Sequence, residues 1–284
     1  MIRVRPYLPL LGFVVPTVVV AYGFVIPRSC IAGINELSVG FGTTILGAVL
    51  TYIAGQRAVL PKATCSRAPL LVRLARALNR QAAHPRGFIG RMLGSIWVRE
   101  HARLNLEVLD RLDIEAGHRV LEIGSGPGDA LMKAARRARG GKAVGVDVSE
   151  VMVKLARARV QAARDVCSVE VRLRSGSALG IDGERYDRIF AVHSIYFWGD
   201  VDATFVQLAT ALAPGGKLVL AFRPDGDDVP ARFRDPIYRF PTVDAVMKSL
   251  KRAGFSEVRA ERSTVAPTVA YVLASSAASS ASPD

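Results

Sequence analysis

The sequence predicts an α/β fold in which a doubly wound, mostly parallel seven-stranded sheet is preceded by two transmembrane helices. From residue 119 onward, short β-prone segments alternate with helical segments, an order that favours a parallel sheet covered by helices on both faces. The first 56 residues instead hold two long apolar runs. With 284 residues, half of them hydrophobic, the chain has room for both parts.

The two apolar runs span about residues 7–26 and 37–55. Each is close to the roughly 20 residues that cross about 30 Å of hydrocarbon, so we interpret residues 1–56 as a transmembrane hairpin. Basic residues precede the first run and follow the second. The positive-inside rule therefore predicts a multi-pass protein of the cytoplasmic (inner) membrane with both termini in the cytoplasm. A cleaved signal peptide is the alternative, but no small-residue cleavage site follows the first run.

The net charge of +13 is concentrated after the hairpin. Residues 57–99 hold nine basic residues and no acidic one, whereas the chain from residue 100 onward is nearly neutral. We interpret residues 57–98 as a basic, amphipathic linker in contact with the anionic headgroups of a membrane; a solvated cationic face is the alternative. Nucleic acid is not expected as a partner, because the charge does not extend over the folded part.

The three cysteines, Cys30, Cys65 and Cys167, are widely spaced and odd in number. None of them has a second cysteine or a histidine at metal-ligand spacing. The sequence therefore predicts neither a disulfide framework nor a metal site.

Apolar periodicity predicts one or two helices over residues 84–112, ahead of the first strand. The predicted strands are 119–123, 143–147, 169–174, 186–192, 217–222, 255–261 and 269–274. The predicted helices begin near residues 127 and 149 and span 202–212 and 242–253, with a turn at 213–216. The tail, 275–284, has nothing apolar enough to bury and is predicted to be disordered.

The first strand runs into the most informative segment of the chain, LEIGSGPG, which ends at Gly128. Its three glycines let the backbone turn tightly and approach a ligand closely, and the next helix offers backbone N–H groups to an anionic group. A dinucleotide fingerprint would have its third glycine at position 129, where this chain has Asp129. An NAD-linked oxidoreductase is therefore the weaker alternative.

Three motifs taken together resemble the class I S-adenosylmethionine-dependent methyltransferases: EIGSGPG, VGVDVS with Asp147 19 positions after Gly128, and APGGKLVLAF. The resemblance runs over residues 99–274. It implies a Rossmann-like methyltransferase domain, an enzyme, and S-adenosyl-L-methionine as its cofactor. The chain departs from the family after the third strand, where an acidic residue often meets the adenine amine and Ser177 stands instead.

The resemblance also implies which residues bind the cofactor. Glu122 is expected to assist its amino group, and Asp147 to accept hydrogen bonds from both ribose hydroxyls, as a carboxylate can. The alternative for Asp147 is a cap on the next helix. The full predicted set is Glu122, Gly124, Ser125, Gly126, Gly128, Asp147, Val148, Ser177, Ala178 and His193.

The segment after the fourth strand, residues 191–198, corresponds to the part of this family that passes near the reactive methyl. For a hydroxyl acceptor, His193 is the predicted general base, because its ordinary pKa of about 6.5 suits proton removal at neutral pH. The alternative is that His193 only hydrogen-bonds the backbone or the cofactor. Tyr196 is the second catalytic candidate; with Phe197 and Trp198 it is predicted to line the acceptor pocket or, alternatively, to belong to the core.

The sequence as a whole predicts a membrane-anchored methyltransferase acting on a small, apolar or lipid-like acceptor at the cytoplasmic membrane face, because the hairpin and the basic linker would bring the site to the interface. Nothing in the sequence selects oxygen, nitrogen or carbon as the methylated atom. A non-catalytic membrane adaptor that keeps the cofactor pocket is a further alternative, which the missing acid after the third strand suggests.

Overall fold

The structure, a computed structural model, describes residues 77, 79–163, 168–175, 178–226, 229, 233 and 235–277. They lie almost entirely in one compact unit, Asn79–Val229 with Arg234–Asp284, whereas the other unit, Met1–Leu78 with Pro230–Phe233, falls mostly outside the described residues. The predicted hairpin, half of the predicted linker and residues 278–284 of the predicted tail lie outside them as well. No helix in the described ranges is both long and apolar enough to cross a membrane.

Helices and strands alternate along the compact unit, as the sequence predicts. The described helices are α1 Gly87–Glu100, α2 Ala102–Leu112, α3 Asp129–Arg137, α4 Glu150–Ala162, α5 Val201–Ala211 and α6 Val243–Arg252. The described strands are β1 Arg119–Ile123, β2 Lys142–Asp147, β3 Ser168–Leu173, β4 Tyr186–Val192, β5 Leu212–Phe222, β6 Ser256–Arg262 and β7 Ala270–Ser275.

Within the described residues these strands form one seven-stranded sheet in the order β3-β2-β1-β4-β5-β7-β6. Strands β1 to β5 pair in parallel, and β7 runs antiparallel to both of its neighbours, β5 and β6. The predicted seven-stranded, mostly parallel, Rossmann-like sheet is confirmed. The strand order reverses between β1 and β4, which is where open sheets of this kind form a ligand crevice.

Both faces of the sheet are covered, because successive residues of a strand point to opposite sides. Leu121 of β1 packs in a cluster with Phe205 and Leu208 of α5. Its neighbour Val120 packs on the other face with Leu109 of α2 and with α3. All of these side chains are buried, and each contributes about 1.5–3 kcal/mol relative to exposure. The doubly wound architecture follows from this two-sided burial.

Two predicted boundaries are wrong in an instructive way. The turn predicted at 213–216 lies within β5, which begins at Leu212 because that residue pairs with Tyr186 across an irregular register. Helix α3 begins at Asp129 rather than near residue 127, because Gly128 adopts a left-handed conformation with φ 80° just before it. The predicted tail is also partly structured, since Ser275 belongs to β7.

A carboxylate on α2 connects that helix to the far end of the sheet. Glu107 accepts hydrogen bonds from the hydroxyls of Ser263 and Tyr271, each over 2.6 Å, and from the Thr264 backbone over 3.0 Å. Burial alone would raise the pKa of Glu107, but these hydrogen bonds lower it to about 2. Arg111 lies 4.1 Å from the centre of the Tyr271 ring. The cluster therefore holds α2 against β7.

Candidate active site

The candidate site lies at the carboxyl ends of β1, β2 and β4. Asp147 is the last residue of β2, and Gly124 and His193 directly follow β1 and β4. Pairing of β1 with β2 and with β4 brings these three ends to one edge of the sheet. The hydroxyl of Ser194 donates to the Ile123 carbonyl over 2.8 Å. The turn after β4 is thereby held against the loop after β1.

The loop after β1 is built from glycines in conformations that other residues rarely adopt. Gly124, Gly126 and Gly128 have φ of 78°, 52° and 80°, in the left-handed region. A Cβ at Gly124 would collide with the side chain of Ser194, whereas a Cβ at Gly126 would meet nothing within 4 Å. The loop is therefore packed tightly at its first glycine and open at its second. The open position leaves room for a ligand to approach the backbone.

Asp147 connects this loop to the start of α4. One oxygen of its carboxylate accepts a hydrogen bond from Gly126 N and the other from Ser149 N, both over 2.8 Å. Burial raises the pKa of Asp147, and these two backbone hydrogen bonds oppose the rise. The cap of α4 is Ser149, whose side chain accepts from Met152 N. The alternative in which Asp147 is itself the cap is therefore not needed to explain the start of this helix.

Glu122 is a buried carboxylate with unused bonding capacity. It is 3% exposed, and its Oε2 has no hydrogen-bond partner among the described residues; the same holds for the hydroxyl of Ser125. Burial raises the pKa of Glu122, the negative charges of Asp147 and Asp129 raise it further, and a hydrogen bond from the Leu131 backbone opposes them. Buried polar atoms are rarely left without partners. Together with the open space at Gly126, these atoms fit a ligand that brings donors such as an ammonium and hydroxyls.

Helix α1 lies beside this edge of the sheet through contacts that no local sequence pattern reveals. The hydroxyl of Ser149 donates to the Pro85 carbonyl over 2.6 Å. A Cβ at Gly94 would lie 3.1 Å from Cε of Met152, so α1 and α4 are in close contact there. The segment just before α1 is therefore bonded to Ser149, which follows Asp147 by two positions in the sequence.

His193 stands immediately after β4 in a strained conformation, with φ 52° in a residue that is not glycine. Its Nδ1 lies 2.9 Å from the hydroxyl of Tyr196, which also accepts a hydrogen bond from Arg223 N over 2.6 Å. The ring centre of His101 lies 5.0 Å from that of His193. Sequence reasoning missed His101, which occupies the junction of α1 and α2 and belongs to no local motif.

The two histidines are neutral at physiological pH. Burial lowers the pKa of His101 to about 4. Burial also holds the pKa of His193 well below its ordinary range, and His101 and Arg223 lower it further. A neutral imidazole donates a hydrogen bond from one ring nitrogen and accepts one at the other.

Four aromatic rings form a cluster next to this pair: Tyr196, Phe197, Tyr238 and Phe240. Phe240 lies 4.7 Å from Tyr196, and Tyr238 lies 5.3 Å from Phe197, between ring centres. Arg239 holds the later segment in place by donating to the Trp198 carbonyl over 2.6 Å. We call these four rings the aromatic cluster. Tyr238 and Phe240 escaped prediction because they are about forty residues distant from the turn after β4.

The remaining predicted residues are placed as follows. Val148 is 41% exposed, next to Asp147. Ala178 is exposed and donates to the Ser175 carbonyl in a tight turn, while Ser177 lies outside the described residues. Trp198 is 3% exposed and packs on Phe205 at 5.8 Å between ring centres, within the same buried cluster as Tyr196.

Comparison with known proteins identifies the class. A methyltransferase-domain model matches residues 120–216, the stretch from β1 into β5. The uncharacterized methyltransferase YdaC of Bacillus subtilis is 30% identical over 176 residues, which cover 61% of this chain and 91% of that protein. With the fold and the glycine loop, these matches establish that the chain belongs to the class I S-adenosylmethionine-dependent methyltransferases.

Two further matches agree with this family. A trans-aconitate 2-methyltransferase of Paracidovorax citrulli is 30% identical over 149 residues, covering 52% of this chain and only 55% of that enzyme. Among solved structures, the complex between the Haloferax volcanii Trm112 methyltransferase activator and a putative methyltransferase contains a chain with a TM-score of 0.56 at 19% identity, covering 65% of this chain and 93% of that one. The second likeness concerns the fold alone.

The predicted enzyme class and the predicted cofactor are confirmed by this membership. The protein is a methyltransferase that uses S-adenosylmethionine. It acts on a small-molecule acceptor whose identity the family does not specify, because this architecture hosts many substrates.

Proposed function

We propose that this chain is a membrane-anchored methyltransferase of the cytoplasmic membrane, with both termini in the cytoplasm, and that it methylates a small, apolar or lipid-like acceptor. The observation that supports the apolar acceptor most directly is the aromatic cluster beside His193. Its four rings come from two segments that converge at the carboxyl edge of the sheet, next to the glycine loop. Aromatic walls with a few polar groups are typical of sites for apolar small molecules.

The anchoring part of the proposal depends on the two apolar runs and on the charge that follows them. Nine basic residues and no acid occupy residues 57–99. In the described part of this stretch, Phe88 is 74% exposed and lies between the exposed residues Arg86 and Arg91. An exposed aromatic ring flanked by arginines suits the interface of an anionic leaflet, where each basic residue contributes about 1 kcal/mol.

Three of the predicted cofactor residues, Glu122, Gly126 and Asp147, have surroundings that support a role. Glu122 offers its unpartnered oxygen to the amino group, Asp147 has one further lone pair on each oxygen for the ribose hydroxyls, and the open face of Gly126 accommodates close approach. Val148 lies beside Asp147 at the end of β2 and is assigned to the same pocket. When bound, S-adenosylmethionine supplies a methyl group on a positively charged sulfur. The protein then positions an acceptor atom in line with it, which is the main requirement of such a displacement.

The proposal is tested by incubating the detergent-solubilised full chain with methyl-labelled S-adenosylmethionine and a total membrane lipid extract, followed by chromatography. We expect a labelled lipid product. Asp147→Ala should remove it, because losing two charged hydrogen bonds weakens cofactor binding by about 100-fold or more. Asp110→Ala is the matched control, since Asp110 is an exposed carboxylate on α2 whose partner is Arg137.

Label that appears only in soluble acceptors would contradict the apolar acceptor and leave the membrane segment as an anchor alone. Tight binding of S-adenosylhomocysteine without transfer to any extract would favour the non-catalytic adaptor. Isothermal titration of the same preparation with S-adenosylhomocysteine distinguishes these outcomes from simple inactivation.

A further inference from the structure

Among the described residues, the hydroxyl of Tyr196 has two hydrogen-bond partners. Its oxygen accepts a hydrogen bond from Arg223 N over 2.6 Å, and His193 Nδ1 lies 2.9 Å away. Tyr196 is 5% exposed, and a buried donor without an acceptor costs about 1–3 kcal/mol. The phenol proton is therefore directed to His193 Nδ1.

This hydrogen bond determines where His193 holds its own proton. A neutral imidazole has one N–H, and the other nitrogen is an acceptor. Burial holds the pKa of His193 well below its ordinary range, so the doubly protonated ring is not populated at neutral pH. With Nδ1 accepting from Tyr196, the proton resides on Nε2. Nε2 is then a donor, and a donor does not act as a general base.

The protonation states of the two histidines indicate what such a donor would bind. Burial holds the pKa of His193 well below its ordinary range and lowers that of His101 to about 4, so both rings are neutral at physiological pH. Because Nε2 donates and does not take up a proton, it suits an acceptor oxygen that arrives already ionised, and an N–H group binds an oxyanion more strongly than a neutral oxygen.

We infer that Tyr196 is a positioning residue which fixes the tautomer of His193, and that His193 donates a hydrogen bond through Nε2 to an ionised oxygen of the acceptor. The acceptor is then a phenol, an enol or a carboxylic acid that binds as its anion. The inference rests on the proposed function for the apolar body of this acceptor. It replaces the predicted general-base role of His193. Methyl transfer to an oxyanion breaks the S–CH₃ bond and forms an O–CH₃ bond, while the electron pair of the broken bond stays on sulfur. The positive charge on sulfur and the negative charge on the acceptor oxygen are both neutralised, and no proton has to leave.

The tautomer is measured directly by two-bond ¹H–¹⁵N NMR of the full chain, labelled at histidine nitrogens and saturated with S-adenosylhomocysteine in detergent. The chain contains four histidines, and a His193→Asn sample assigns the ring of interest. We expect the Nε2–H form of His193 at neutral pH. An Nδ1–H form, or an imidazolium, would overturn the inference, because Nε2 would then be available as a base or the ring would be charged.

Tyr196→Phe removes the donor to Nδ1, so the His193 ring signals should shift towards a mixture of both tautomers. Tyr238→Phe is the matched control, because it removes a phenol hydroxyl from the same aromatic cluster and should leave the His193 signals in place. Equal shifts in both variants would mean that general repacking, rather than the Tyr196 hydrogen bond, determines the tautomer.

A pair of acceptors tests the chemical class. A 4-alkylphenol and the 4-alkylcyclohexanol with the same chain are similar in size, but only the phenol ionises readily. We expect labelled methyl in the phenol at a level at least about 100-fold above the alcohol, since general bases typically contribute that much to reactions of unactivated alcohols. Equal labelling of both would overturn the inference. Labelling of neither, with cofactor binding intact, would contradict the proposed apolar acceptor, and the NMR result would still decide the tautomer.

Discussion

The two halves of the proposed active site, one assigned to the cofactor and one to the acceptor, are built by different means. The cofactor half consists of backbone turns and short-range contacts, with Asp147 bonded to Gly126 and Ser149. The acceptor half consists of side chains from three separate segments, represented by His101, His193 and Phe240. A site made from backbone conformation appears in the sequence as a motif, whereas a site made from converging side chains has no local signature. The two halves should accordingly respond to substitution in different ways.

The largest effect is expected from Gly124→Ala in the cofactor half. The new Cβ would collide with the Ser194 side chain at a backbone φ of 78°, and the left-handed conformation alone costs about 1–2 kcal/mol. We expect a loss of S-adenosylhomocysteine affinity of about 100-fold or more, measured by titration calorimetry, with a lowered melting temperature.

Gly140→Ala is the matched control for this change. Gly140 has the same φ of 78°, but a Cβ there would meet nothing within 4 Å. This variant should lose only the conformational term of about 1–2 kcal/mol in stability and bind the ligand normally. Similar affinity losses in both variants would contradict the role assigned to the loop.

An intermediate effect is expected from Phe240→Ala in the acceptor half. The ring lies 4.7 Å from that of Tyr196, and an aromatic pair contributes about 0.5–1.5 kcal/mol beyond its buried area. Methyl transfer to the acceptor should fall by about tenfold, which corresponds to about 1.4 kcal/mol, while S-adenosylhomocysteine affinity changes little. A parallel loss of cofactor affinity would show that the two halves are not separable.

The smallest effect on the site is expected from Glu107→Gln, which weakens the hydrogen bonds between α2 and β7 and therefore lowers stability rather than ligand binding. The pKa of Glu107 in the folded state, about 2, is depressed below the usual value of 4.5. Its contribution to stability is therefore present above about pH 4.5 and is lost as the pH falls towards 2. Because part of the carboxylate contacts water, we expect a loss of about 2 kcal/mol at neutral pH.

Denaturant unfolding from pH 7 down to pH 2 measures this difference. The wild-type and Glu107→Gln curves should converge at the acid end, and ligand affinity at neutral pH should be the same for both. A constant gap across the pH range would mean that packing, rather than the ionised carboxylate, accounts for the loss.

The fold was predictable because its central strands are buried on both faces and several of its turns are marked by glycine. β1 and β4 match their predicted bounds, since RVLEI and YDRIFAV are apolar runs with clear ends. The start of β5 was not predictable, because Gly215 and Gly216 are typical of a turn and it is the pairing of Leu212 with Tyr186 of β4 that extends the strand. Local propensity is overridden there by tertiary hydrogen bonds.

The same distinction applies to the site. Glu122, Gly124, Gly126 and Asp147 were predicted from their spacing, and the structure brings them to one edge of the sheet, where the positive φ of the two glycines explains why that residue type stands there. His101 was not, since the contact with His193 joins positions about ninety residues apart. The bond between Ser149 and Pro85 was missed for the same reason. Contacts of this kind depend on how helices pack, and a single sequence does not encode that packing locally.

The hydrogen bond from Gly126 to Asp147 has a consequence for the thermodynamics of binding. The loop is already held in its bent conformation by the carboxylate that is assigned to the ribose. Ordering a free loop on association would cost conformational entropy, on the order of 1–2 kcal/mol for each residue fixed. Here that ordering takes place during folding. Cofactor affinity should therefore depend on direct contacts rather than on loop closure, and the cofactor product, whose ribose and amino groups are unchanged, should be held about as firmly as the cofactor itself.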